Sequence, residues 1–141
     1  MTRATSDLRV GNLMTIDPVV INADAQASEA ERLLKTYRVS GLPVVIGDVT
    51  VGVISQTDLL VARSSTMISG NWTRMLVRHL MTTPAVTVHV GTKLARAAQL
   101  MVTRHIHRLV VVDDEEAPIG VISSLDLLRM LLEDPDVRPG A

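Results

Sequence analysis

Two short motifs in this 141-residue chain place reactive groups at a recurring spacing. Ser55-Gln56-Thr57-Asp58 and Ser123-Ser124-Leu125-Asp126 each set a serine three residues before a carboxylate. A serine at the N-cap with an acid at the third helical position resembles a capping box, so both motifs predict helix starts. A helix N-terminus also favours a ligand's negative charge. Upstream of the second motif stands a basic turn, Arg104-His105-Ile106-His107-Arg108. The earlier copy has Ser40-Gly41 where the later one has His107-Arg108, and Arg38 is its only close basic residue. From Leu59 to Val112 there is no Asp or Glu, yet the span holds Arg63, Arg74, Arg78, Lys93, Arg96, Arg104, Arg108 and all four histidines. A local positive field concentrates anions, so an anionic partner is expected. Nucleic acid is not the expected one, because Trp72 is the only aromatic residue in that span available for stacking.

Other chemistries find little support. With no cysteine there is no disulfide framework, thiolate metal site or Cys nucleophile. His105-x-His107 would share a strand face, but two imidazoles without a third ligand make a poor metal site. His79 and His89 have no evident partner. No Ser-His-Asp arrangement, Gly-rich phosphate loop or paired-carboxylate motif stands out. Neither a cofactor nor a metal is expected. No apolar run reaches the roughly 18 residues of a membrane helix. The N-terminus, with Arg3, Asp7 and Arg9, lacks a signal-peptide core. A soluble cytoplasmic protein is the expectation.

The elements that position these residues follow from periodicity. The chain has no Phe, one Trp and one Tyr, so Val, Ile, Leu and Met must fill the core. Residues 1–13 read as a loose lead-in. Asp17-Pro18 marks a turn, and Val19 to Ile21 a strand. Asp24 is a candidate cap for a helix over Ala25 to Arg38, with Ala30, Leu33, Leu34 and Tyr37 on one face and Gly41 ending the segment. Leu42 to Ile46 and Val49 to Ser55 form a hairpin about Gly47-Asp48, and a short helix runs to about Arg63. Residues 64–76 are the connection, which Met67, Ile68, Trp72 and Met75 would pack down. The pattern then restarts. Ala85 to His89 is a strand. Thr92 is a candidate cap for a helix through Arg104, with Leu94, Ala97, Ala98, Met101 and Val102 inward. Strands follow at 108–113 and 119–122, then a helix over 124–132 that Pro135 and Pro139 would stop.

The chain therefore repeats strand–helix–strand–strand–helix, with an offset of 67 residues at Met14/Met81 and 68 at Asp58/Asp126. So small a unit buries too little apolar surface to be secure alone. Two copies packed face to face with pseudo-two-fold symmetry would solve this and leave clefts between them. Three features now resemble the CBS domain, found in tandem as the Bateman module. They are Leu-Met-Thr before the first strand, Leu-Pro-Val-Val in the middle strand, and Gly-Val-Ile-Ser-x-x-Asp-Leu-Leu closing each copy. The segment from His105 to Asp113 is also similar to the nucleotide-binding repeats of the gamma subunit of AMP-activated protein kinase. The expected fold is α+β (α/β), with two β-α-β-β-α CBS repeats at 8–63 and 77–132 joined by the 64–76 connection.

The resemblance implies a stand-alone, non-catalytic regulatory and energy-sensing module, dimeric, that binds AMP, ADP, ATP or S-adenosylmethionine. It implies ribose contacts by Asp58 and Asp126 with Ser55 and Ser123 close by, since an acceptor-only carboxylate suits a cis-diol. It implies phosphate contacts by His107 and Arg108, with Arg104 and Lys93 as weaker candidates, since guanidinium offers forked donors. The apolar strands would sandwich the base through Val20, Leu42, Pro43, Val44 and Ile54 in one copy. In the other copy Val86, Leu109, Val110 and Ile122 would do so, although core packing also accounts for these types. The alternative is a ligand-independent interaction and dimerisation scaffold, for which Met67, Met75, Met101 and Met130 would give an adaptable contact.

Overall fold

A computed structural model of the protein describes residues 7–65 and 70–133. In chain order its elements are α1 (Val10–Leu13), β1 (Thr15–Ile16), β2 (Ile21–Asn22), α2 (Ala27–Tyr37), β3 (Gly41–Ile46), β4 (Val49–Ser55) and α3 (Gln56–Ser64). A 3-10 turn (Trp72–Arg74) follows, then α4 (Val77–Leu80), β5 (Thr87–His89), α5 (Leu94–Arg104), β6 (Arg108–Val112), β7 (Pro118–Ser123) and α6 (Ser124–Glu133). Met67, Ile68, Pro135 and Pro139 lie outside the described residues.

The chain is interleaved between two compact units. The first unit comprises residues 18–86 with 115–118, and the second has residues 7–17, 87–114 and 119–133 among those described. In the first, β2 pairs parallel with β3 and β3 antiparallel with β4, while Thr82 bridges to Val53 at the open edge of β4. In the second the sheet order is β1-β7-β6-β5, with β5 parallel to β6 and β1 antiparallel to β7. Thr82 thus stands in the first unit where Thr15 of β1 stands in the second.

Fully buried strands read as continuous apolar runs, which is why β3 and β6 carry no alternation. Ile21, Ala30, Leu34, Leu42, Val44, Ile54, Leu59 and Val77 form the first core, with Trp72 packed against it. Val10, Val88, Leu94, Ala97, Met101, Leu109, Val111 and Ile122 are buried in the second unit. Burying each large aliphatic side chain contributes about 1.5–3 kcal/mol. The β3–β4 hairpin turns at Gly47, whose φ of 60° is the left-handed value a two-residue II′ turn requires of its first central residue.

Several expectations are corrected. Residues 10–13 are not loose: α1 buries Val10 completely. Asp24 and Thr92 do not cap helices. The N-caps are Gln26 and Lys93, and neither side chain makes a capping bond. The first helical N–H groups are satisfied by distant backbone instead, Ala27 by the Met75 carbonyl at 2.8 Å and Leu94 by the Leu8 carbonyl at 2.9 Å. Gly41 does not end α2. Arg38 does, in the left-handed conformation at φ 54°, and His105 ends α5 likewise at φ 53°. Tyr37 and Val102 point outward, at 54% and 76% exposure, because the inner stripes are set by Ala27-Ala30-Leu34 and Leu94-Ala97-Met101.

Candidate functional site: a capping-box carboxylate beside a basic turn

In the second unit, α6 starts with a reciprocal cap. Ser123 N–H donates to Asp126 Oδ2 at 2.8 Å, and Asp126 N–H donates to Ser123 Oγ at 3.2 Å. Asp126 Oδ1 accepts no hydrogen bond from the described residues. The next N–H of the helix, that of Ser124, donates to the His107 carbonyl at 2.7 Å. That bond fixes the basic turn against the helix start. The turn is shaped from the other side by His105, whose left-handed conformation lets Ile106 N–H reach back to the Met101 carbonyl at 3.0 Å. Arg104, His105 and His107 are exposed and Arg108 is half-buried. No carboxylate pairs with Arg104, His107 or Arg108 among the described residues. The result is a cationic turn and a half-open carboxylate at one helix N-terminus, an arrangement able to accept hydroxyl donors and to bind anionic oxygens.

The first unit repeats the frame with different chemistry. Ser55 N–H and Oγ both donate to Asp58 Oδ2 at 2.9 Å, and Asp58 N–H donates to Ser55 Oγ at 3.1 Å. Gln56 N–H donates to the Ser40 carbonyl at 2.9 Å, which is the counterpart of the His107 bond. Here the turn is Arg38-Val39-Ser40-Gly41, and Arg38 is exposed. Asp58 Oδ1, however, is occupied by the Thr82 hydroxyl, which donates to it at 3.3 Å.

The structure therefore gathers Ser123, Asp126, His107 and Arg108 in one place, with Arg104 at the adjoining end of α5. Lys93 it does not: that residue is the N-cap of α5, about 16 Å from Arg104 at 1.5 Å per residue. The apolar candidates lie mostly in the cores. Leu42, Val44, Ile54, Leu109, Val110 and Ile122 are each at most 4% exposed, and Pro43 is buried, so their side chains belong to the cores and leave almost no surface for a ligand. Val20 is exposed and Val86 half-buried. Two side-chain contacts went unread in the sequence. Thr82 had its signal in the repeated Leu-Met-Thr. His89 does have a partner, Asp114, at 2.6 Å. Among the described residues no three His, Asp or Glu side chains cluster to hold a metal, and no helix is long and apolar enough to cross a membrane.

Comparison with known proteins now places the chain. The CBS domain family model matches residues 10–65 and 77–133, so the chain belongs to the CBS domain family, as a tandem pair. It is 32% identical over 114 residues to inosine-5'-monophosphate dehydrogenase of Methanocaldococcus jannaschii, covering 80% of this chain and 21% of that protein. It is 30% identical over 125 residues to an uncharacterized protein of the same organism, covering 89% of this chain and 40% of the relative. The chain thus spans less than half the length of these relatives. Among solved structures it is similar to CBSX2 from Arabidopsis thaliana, described in complex with AMP, at 30% identity and TM-score 0.75, covering 89% of this chain and 96% of that one.

Proposed function

We propose that this chain is a non-catalytic regulatory module that binds an adenosine ligand at the Asp126 site. Asp126 takes the ribose hydroxyls through Oδ1, Ser123 holds the carboxylate in place, and His107 and Arg108 take the phosphates. The observation that carries this reading is the Ser124 N–H to His107 carbonyl bond, which sets the basic turn beside the open carboxylate oxygen. The likeness to an AMP-bound CBS pair supports the ligand class. AMP, ADP, ATP and S-adenosylmethionine are the candidates, and the signal they carry acts on a protein outside this chain. Binding acts as a switch only to the extent that the ligand favours one arrangement over another. Calorimetric titration of the purified chain with the four ligands tests the reading. Binding of at least one is expected, and no binding at millimolar concentration would sink it.

A second reading has its own observation. Leu125, Leu128, Leu131 and Leu132 of α6 are 43–60% exposed. Such an apolar face suits association of two copies in the cytoplasm, with or without ligand. Sedimentation of Leu128→Glu against wild type reads it: a dimer that persists unchanged in the variant removes α6 from the interface.

A further inference from the structure

The two units deliver equivalent threonines to equivalent carboxylates, but only one contact forms. Thr82 is held on the open edge of β4 by a closed backbone pair, Thr82 N–H to the Val53 carbonyl at 2.9 Å and Val53 N–H to the Thr82 carbonyl at 3.0 Å. The next residue pins the segment again, because the Thr83 hydroxyl donates to the Val51 carbonyl at 3.0 Å. So fixed, the Thr82 hydroxyl reaches Asp58 Oδ1, while Ser55 fills Oδ2 from both its N–H and its hydroxyl. Every oxygen of Asp58 is therefore satisfied by the chain itself. In the second unit Thr15 pairs with Val121 in the same register, yet among the described residues no hydrogen bond joins its hydroxyl to Asp126. The residue after it is Ile16, which cannot make the second anchoring bond.

Resting on the adenosine reading above, we propose that Thr82 is an internal occupant of the first-unit carboxylate and is the residue that keeps that site closed to hydroxyl ligands. A diol must compete with the Thr82 hydroxyl for Asp58 Oδ1, whereas at Asp126 Oδ1 no described residue competes. The first unit also has Ser40-Gly41 in place of the His-Arg pair, so a phosphate gains less there than beside Asp126. The ligand class that suits the Asp58 site is thus a phosphate-free nucleoside, held weakly. One lost hydrogen bond of ordinary net strength corresponds to between about twofold and tenfold in affinity.

The test is calorimetry on the full chain with adenosine as probe, in an Asp126→Asn background that silences the second unit. Thr82→Val should tighten adenosine binding by between about twofold and tenfold. Thr82→Ser, which keeps the hydroxyl, should leave it unchanged, and adding Asp58→Asn should abolish the gain. Equal melting temperatures for the Val and Ser variants guard against a folding artefact. Adenosine affinity unchanged in Thr82→Val, up to the solubility limit of the probe, overturns the proposal. Weakened affinity also overturns it, because Thr82 would then be a ligand contact. Failure of the parent reading shows differently, as AMP binding that is the same in the wild type and in Asp126→Asn.

Discussion

The first and second units share a backbone plan and differ in how their polar side chains are used. Both oxygens of Asp58 accept hydrogen bonds from Ser55 and Thr82, whereas Asp126 Oδ1 accepts none from the described residues. Elsewhere the first unit again spends side chains on itself. Arg78 Nε donates to Asp24 at 2.7 Å, an ion pair whose counterparts in the second unit are Gly11 and Gly91. At these positions one copy of a duplicated module pairs its polar side chains with one another at the surface. The other has no such pair at the equivalent positions, where Gly11 and Gly91 stand. Duplication permits this division, because the apolar frame of each unit is complete without those polar groups.

The largest expected effect tests the open side of that contrast. Arg108→Ala removes a charge-assisted donor and should cost about 1.5–3 kcal/mol of AMP binding, roughly a tenfold to hundredfold loss. Adenosine binding at the same site should be nearly unaffected. The equivalent change at Arg38, in a unit without a facing open carboxylate, should leave AMP binding alone. Equal losses from Arg38→Ala and Arg108→Ala in parallel titrations would dissolve the asymmetry.

Next come two glycines where the leading segments cross the sheets. A Cβ on Gly52 would lie 2.8 Å from both Met81 Sδ and the Thr82 carbonyl oxygen. A Cβ on Gly120 would meet Met14 Sδ at 2.5 Å and the Thr15 carbonyl oxygen at 3.0 Å. Overpacking of this kind costs about 1–3 kcal/mol. A methionine end can swing away but a paired backbone carbonyl cannot, so Gly52→Ala should lower stability more than Gly120→Ala. Urea denaturation of the two variants reads the order.

Much of this frame was legible in sequence. The 67-residue offset, the Gly47-Asp48 turn and the two Ser-x-x-Asp boxes are local patterns with local causes. What escaped depends on partners distant in sequence. Asp24 and Thr92 look like caps, but the Met75 and Leu8 carbonyls reach the helix starts first. The Thr82–Asp58 bond spans 24 residues and needs the fold to exist before it can be seen. Leu109 and Ile122 read equally well as core or as ligand-lining, since both uses ask for the same side chains. The structure adds that both are buried.

Arg38 and His105 give a smaller effect, and an equal one in both units. Each ends its helix at a positive φ that a residue with a Cβ adopts at a cost of about 1–2 kcal/mol, while glycine loses about 0.5–1 kcal/mol through the unfolded chain. Arg38→Gly and His105→Gly should therefore each stabilise by up to about 1 kcal/mol, measured as a rise in melting temperature. The corresponding valine variants should destabilise. Since neither side chain carries the Asp126 site, His105→Gly should bind AMP as the wild type does.

The smallest effect concerns a position where the two units reach one geometry by different side chains. Asn22 Oδ1 accepts the Asp24 N–H at 2.8 Å, and at the equivalent place His89 Nδ1 accepts the Gly91 N–H at 3.0 Å. Because Nδ1 accepts, the ring proton sits on Nε2 and is donated to Asp114 Oδ1 at 2.6 Å. Both His89 and Asp114 are exposed, at 47% and 87% of their side chains, so this hydrogen bond contributes little. What His89 supplies is the turn. His89→Asn should then be nearly neutral, while His89→Ala should cost about 0.5–1 kcal/mol, the same as Asn22→Ala in the other unit. If His89→Asn falls as far as His89→Ala in denaturant titrations, the imidazole's bond to Asp114 matters more than its bond to Gly91, and the two turns are not equivalents.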